Sequence, residues 1–263
     1  MKNLTIGQFF PGDSMIHKMD PRAKLLLAIA LIVVLFIIKT WVGYLAVFAV
    51  LIATIIASKV SVKFVLRGLK PLWFLIVLTL VLNLFFYSGD KLLVEWWIFK
   101  IYEEGVIKAI TIAIRLILLI VTTSLLTLTT SPMDITAAIE SLLKPLKVVH
   151  FPVHELALMM SIALRFIPTL MEETDRIMKA QTARGASFSE GSIIARAKGI
   201  VPILVPLFVS AFKRADDLAL AMEARCYDGG AGRTSMKKMS YSWRDLVGLI
   251  VIAALIAGLC FGM

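Results

Sequence analysis

The chain has 263 residues, 59% of them hydrophobic and 17% charged, with a mean hydropathy of +0.89 and a formal net charge of +10. A soluble domain is nearer half apolar and a quarter charged, so this composition is that of an all-α integral membrane protein. The basic excess does not read as a nucleic-acid surface, because the cations fall in loops between apolar runs rather than on a solvated face interleaved with aromatics.

Residues 1–22 lack the charged start, apolar run and small-residue cleavage site of a signal peptide, so the first span is expected to be retained. Within them, His17, Asp20, Pro21 and Arg22 read as a helix start: Asp20 as N-cap and Pro21 as first helical residue explain the segment without a binding site. About five stretches, at 23–40, 42–58, 71–88, 105–129 and 244–262, are long enough to cross about 30 Å of hydrocarbon at 1.5 Å per residue. Only Lys39, Thr40 and Trp41 separate the first two, which predicts a tight helical hairpin. The loop at about 88–104, with Trp96, Trp97 and Tyr102, is expected on the outer face, resting on the bilayer interface. Arg115 lies near the middle of the fourth span, where a charge costs several kcal/mol and is normally functional or paired. It requires a polar partner inside the bundle or across a subunit interface, and Asn83 is a candidate.

Basic residues near span ends are retained on the cytoplasmic side. With the N-terminus inside, Lys2 to Lys24 carries four, Lys59 to Lys70 four and residues 130–244 fifteen, against Lys39, Lys91 and Lys100 outside. That asymmetry predicts a cytoplasmic N-terminus and an external C-terminus. The chain then divides into four spans over residues 1–130, cytoplasmic helices over 131–243 and a last span over 244–263.

The cytoplasmic stretch opens with Ser131 as N-cap, Pro132 in the first turn and Asp134 at N3, predicting a helix that stops near Lys144 and Pro145. Phe151 and Pro152 open a second, running to Arg184 and bent at Pro168. Beyond the bend Leu170, Met171, Thr174, Ile177, Met178 and Gln181 recur at helical spacing, opposite Glu172, Glu173, Asp175, Arg176 and Lys179. Gly185 ends it in the position of a left-handed cap, and GASFSEGS to Ser192 reads as a turn. A third helix starts near Ile193 and contains Pro202 and Pro206. Its stripe of Leu207, Phe208, Ala211, Phe212, Ala215, Leu218, Ala219 and Met222 faces away from Lys213, Arg214, Asp216, Asp217 and Glu223. It ends at Cys226, and Gly229, Gly230 and Gly232 lead into a loop.

Two long amphipathic arms thus share one tip, A-x-x-A-R-small: AQTARG over 180–185 and AMEARC over 221–226. Arg184 and Arg225 stand 41 residues apart. Small neighbours leave each guanidinium free to enter a groove, where its planar donors suit carboxylates and backbone carbonyls. A single arginine at a helix C-terminus is ordinarily a solvated complement to the helix dipole; the duplication favours a docking role.

These residues resemble the T component, EcfT/CbiQ-like, of energy-coupling factor transporters, whose two A-R-G coupling motifs are matched by Ala183, Arg184 and Gly185 and by Ala224, Arg225 and Cys226. The resemblance covers nearly the whole chain: GQFFPGDSMIHKMDPRAKL from Gly7 resembles the family's opening, LRFIP from Leu164 its cytoplasmic core, and AMEARCYDGGAGRT the shared-module members. Cys226 departs from the motif, keeping a small side chain while weakening any need for a glycine conformation there. The resemblance implies an ABC-type importer of vitamins or other micronutrients in which two cytoplasmic ATPases, non-identical if the unequal tips are a guide, each hold one tip. The stripes, including Met171, Met178, Phe212, Leu218 and Met222, would contact a small, exchangeable membrane subunit that captures the substrate. This chain would hold no cofactor or metal and catalyse nothing.

The methionines of the cytoplasmic helices suit a surface that repacks against changing partners, or equally fill a core. His154 and Glu155 begin an H-E-x-x-H pattern, but Leu158 stands where the second ligand belongs. Cys226 and Cys260 are expected on opposite sides of the membrane, and no phosphate-binding G-x-x-x-x-G-K-[ST] loop occurs. Two rival functions remain: a conventional importer permease forming the pathway itself, and an intramembrane enzyme in which Arg115 and the histidines handle an anionic lipid.

Overall fold

The computed structural model describes residues 9–86, 92–96, 99–149, 151–186, 193–229 and 239–261. The chain forms two compact units, residues 1–141 with 238–263 and residues 142–237.

In the first unit α1 (Pro21–Ile37) and α2 (Trp41–Ser58) form the expected hairpin. Asp20 caps α1, its carboxylate accepting from the Arg22 amide at 2.9 Å with Pro21 in the first turn. After α2 the chain does not enter one long span. It makes a short α3 (Val62–Arg67), a 3₁₀ turn over Lys70–Leu72 and then α4 (Trp73–Phe86). Pro71 supplies no amide hydrogen to a continuing helix. Gly68 lies so close to α5 that an added Cβ would stand 2.5 Å from Ser124 Oγ. The missing side chain at Gly68 lets this segment lie close against α5.

The expected outer loop is a hairpin: β1 (Leu92–Trp96) pairs antiparallel with β2 (Phe99–Tyr102), Glu95 opposite Lys100 and Trp96 opposite Phe99, with an irregularity between Leu92 and Val94. Its residues are largely β-branched or aromatic, types that favour strands. Trp97 lies outside the described residues. Among the described residues this hairpin is the only departure from an all-helical fold.

α5 (Glu103–Thr129) is the hub, contacting α1, α2, α3 and α4. Leu118, Leu125 and Leu128 of α5 meet Leu35 and Ile38 from the end of α1, Val47 of α2 and Leu255 of α9 (Trp243–Phe261) in one buried cluster. α6 (Pro132–Leu143) follows, its first turn capped by Ser131 Oγ, which accepts from the Asp134 amide at 3.2 Å.

One face of this unit is closed by a polar latch. Lys24 Nζ donates to Thr129 O at 2.9 Å, to His17 O at 3.3 Å and to Thr130 Oγ1 at 3.4 Å. Asp245 accepts from the Asp20 amide at 2.9 Å and from the Ser242 amide at 2.7 Å. The start of α1, the end of α5 and the start of α9 therefore lie at one level. Sequence reading passed over Lys24 and Asp245; a lone lysine at the mouth of an apolar run was the available signal.

Four helical stretches among the described residues are long and apolar enough to cross a membrane: Trp41–Ser58, Val62–Phe86, Glu103–Thr129 and Val153–Ala183. α1, with 17 residues, is just short of that length, and α9 carries Arg244 and Asp245 in its first turn. Val153–Ala183, expected to be a cytoplasmic arm, qualifies through its apolar first half; its second half carries Glu172, Glu173, Asp175, Arg176 and Lys179.

In the second unit that helix is α7 (Val153–Ala183) and its partner α8 (Ile193–Glu223), each of 31 residues. α7 stays helical through Pro168 and α8 through Pro202 and Pro206. Arg214 donates to Glu173 at 3.2 Å midway along the pair. A cleft joins Leu158, Ile162 and Arg165 of α7 to Leu218, Met222 and Arg225, so the two helices run antiparallel. The turn beyond Ala186 and the Gly230–Gly232 loop lie outside the described residues.

Candidate functional site

Both arms end in the same backbone device. At the first, the Gly185 amide donates to Thr182 O at 2.9 Å and the Ala186 amide to Gln181 O at 3.0 Å. At the second, the Cys226 amide donates to Glu223 O at 2.8 Å and the Tyr227 amide to Met222 O at 3.0 Å. Each is a Schellman cap, which requires a left-handed residue after the helix. Gly185 has φ +88° and Cys226 φ +55°. The cysteine has thus kept the backbone conformation that its side chain seemed to make unnecessary. At Gly185 an added Cβ would meet nothing within 4 Å, so the demand for glycine there is conformational and not steric.

The caps turn the chain sharply beside Arg184 and Arg225 and leave both exposed, together with Ala183 and Ala224. Because the arms are antiparallel, the tips lie at opposite ends of the hairpin, on the order of 30 Å apart along it at 1.5 Å per residue. The second tip also borders a cleft of about 520 Å³. Leu158, Ile162, Leu218 and Met222 supply its apolar wall, and Arg165, Arg225 and Asp228 its polar rim. Arg165 belongs to the LRFIP segment, and sequence reading gave it no role.

The remaining site residues are dispersed. Met171 and Met178 are half-buried on α7, and Leu218 and Met222 line the cleft. Phe212 is 69% exposed and Phe208 60%, so the apolar stripe of α8 is uncovered at its centre.

Arg115 has a partner other than Asn83. Its Nε and Nη2 donate to Tyr44 Oη at 3.2 and 2.7 Å, and Nη2 reaches Ile38 O at 3.4 Å. The guanidinium also stands 5.8 Å from the Phe36 ring and 6.0 Å from that of Tyr44. Asn83 donates to Thr79 O within its own helix. Arg115 thereby closes the α1–α2 turn, fourteen residues or about 21 Å from the latch level. It is central in α5 but sits toward the far edge of the bundle.

His17 is tied into the N-terminal turn, Ser14 Oγ to Nδ1 at 2.7 Å and Nε2 to Phe10 O at 3.0 Å. Burial, opposed by the Phe10 carbonyl, lowers its pKa; a neutral imidazole engaged at both nitrogens is poorly suited to hold an anionic substrate. Among the described residues no group of His, Cys, Asp or Glu is placed to hold a metal ion.

An apolar helical bundle and a separate helical hairpin with matched arginine tips define the class, a multi-pass membrane protein with paired arms. The profile of the cobalt transport protein family, CbiQ, matches residues 12–237. Proteins called energy-coupling factor transporter transmembrane protein EcfT are similar over nearly their whole length. That of Thermosediminibacter oceani is 54% identical over 258 residues, covering 98% of this chain and 97% of the relative. Those of Clostridium kluyveri and Brevibacillus brevis are 52% identical over 257 residues (97% and 95%) and 50% identical over 262 (100% and 98%). The chain belongs to this EcfT family and is a non-catalytic transmembrane component of energy-coupling factor transporters.

Proposed function

We propose that the chain couples two cytoplasmic ABC-type ATPases to a small membrane substrate-binding subunit, with Ala183-Arg184-Gly185 docked on one ATPase and Ala224-Arg225-Cys226 on the other. The observation that carries this reading is the identical cap at both tips, kept even where cysteine must adopt a left-handed conformation. The strained residue at Cys226 has no steric reason in its exposed surroundings, which favours a requirement on how Arg225 is presented. The uncovered α8 stripe around Phe208 and Phe212 is the surface offered to the substrate-binding subunit, an exchangeable partner whose replacement leaves this chain's tips unchanged.

In this reading residues 1–130 and 244–263 supply the spans, residues 131–243 are cytoplasmic, and the C-terminus is external, as the basic residues of the loops favour. α7 is then an arm and not a span, since the charges of its second half are too costly for hydrocarbon. Losing one partner of a desolvated charge pair costs about 2–5 kcal/mol, or roughly 30-fold to several thousandfold in affinity. The double variant Arg184→Ala/Arg225→Ala is therefore expected to lose its ATPases when the complex is solubilised in mild detergent and captured through this chain. Full retention of both ATPases would refute the docking assignment.

A further inference from the structure

Residues 142–237 form the second unit and are inserted into the first, which is made of residues 1–141 and 238–263. The chain therefore leaves the first unit once and returns to it once. The outgoing path runs from the end of α5 through Thr130 and Ser131 into α6, and the returning path passes Ser242 into α9.

Both junctions are completed by residues from the start of the chain. A helix leaves its last carbonyls without partners inside the helix, and its C-terminus favours a cation. After α5 the backbone is extended at Thr130, φ −133° and ψ 129°. Donors reach its end from residues more than a hundred positions earlier, the Phe10 amide to Leu128 O at 3.0 Å and Lys24 Nζ to Thr129 O at 2.9 Å. At the returning junction Asp245 divides its carboxylate. One oxygen accepts the local Ser242 amide at 2.7 Å, and the other accepts the Asp20 amide at 2.9 Å. Asp20, Lys24, Thr129, Thr130 and Asp245 are all buried. Beside them Gly248 brings α9 against α1, since an added Cβ would stand 2.7 Å from Leu27 Cδ1 and 3.1 Å from Met19 Cε. One short segment, residues 10–24, thus holds the outgoing and the returning chain together.

Packed helices slide past one another by about 1–2 Å. Directional hydrogen bonds oppose such a slide, and a buried charge stripped of its partner is costly, so these junctions resist shear where apolar packing alone would not.

We propose that residues 10–24 are a fixed anchor through which movement of the arms reaches the spans, with Lys24 and Asp245 as its positioning residues. The anchor keeps the two junctions from moving independently, so that displacement of the inserted unit is delivered to α5 and α9 together. This inference rests on the coupling reading given above.

The test uses the complete complex, this chain with its ATPases and substrate-binding subunit, in proteoliposomes, with uptake and ATP hydrolysis measured on the same sample. Lys24→Met/Asp245→Asn is expected to retain the ATPases and their hydrolysis while uptake per ATP hydrolysed falls about tenfold, within the usual range of coupling between sites. A merely structural role would lower uptake and hydrolysis together, and an unchanged ratio would overturn the anchor. Because the double variant can misfold, a second measurement leaves the latch intact. Spin labels replace Met133 and Ser240, both exposed and one beside each junction, in a Cys226→Ser/Cys260→Ala background. Their separation is expected to be the same without nucleotide and with ATP trapped by vanadate; a shift beyond about 2 Å, the size of a helix slide, would also overturn the anchor. Failure of the coupling reading itself would show separately, as absence of the ATPases from the unsubstituted complex, and would remove the anchor's role with it.

Discussion

Cys226 shows how a substitution can change a motif's letter and leave its geometry intact. Its αL conformation costs an L-residue roughly 1–2 kcal/mol that glycine does not incur. Gly185→Ala is therefore expected to speed exchange of the Ala186 amide by about tenfold, and Cys226→Gly to slow that of Tyr227, as read by hydrogen exchange. Unchanged exchange in both would show that the caps are not limited by φ. The paired Ala-Arg-small triplets were legible because composition and spacing carry them, whereas the backbone angle at a cysteine leaves no mark in its neighbours. Arg115 repeats the lesson: its charge predicted a partner, but Tyr44 is 71 residues away and becomes adjacent only when α5 packs on the α1–α2 turn. Tyr44→Phe removes the closest acceptor and should destabilise the bundle by about 1–3 kcal/mol, measured as a lowered Tm in detergent.

At the scale of elements, helix starts were readable wherever Asp, Ser or Pro declared them, as at Asp20–Pro21 and Ser131–Pro132. The start of the span expected from residue 71 was readable, and α4 begins at Trp73; the short α3 before it and the close approach of Gly68 to Ser124 are recorded by no local pattern. The β1–β2 hairpin lay within a segment read by its aromatics alone, although alternating strand formers were present. The arms carry a test of their own. The Glu173–Arg214 pair is partly exposed and contributes modestly to stability, so its value is in register. Glu173→Arg should loosen α7 from α8, and the swap Glu173→Arg/Arg214→Glu should restore them, measured as the distance between spin labels on the two arms. Failure of the swap to restore the distance would remove the pair from that role.

For the whole molecule, the latch brings the start of α1, the end of α5 and the start of α9 to one face, a placement that loop charge anticipated and that the contacts of Lys24 and Asp245 now explain. Orientation is testable with Cys226, which is exposed. In a Cys260→Ala background an impermeant maleimide is expected to label it in inverted vesicles and not in intact cells. Labelling of intact cells would reverse the proposed topology. The mid-arm pair has a mechanical consequence. Glu173 precedes Arg184 by eleven residues and Arg214 precedes Arg225 by the same number, so the contact stands about 16 Å from either tip. Two antiparallel rods crossed at such a point form scissors with blades of equal length. A change of about 10° in the angle between them, shared equally, displaces each tip by about 1.5 Å at that radius, so two motors pulling on the tips would meet the same leverage.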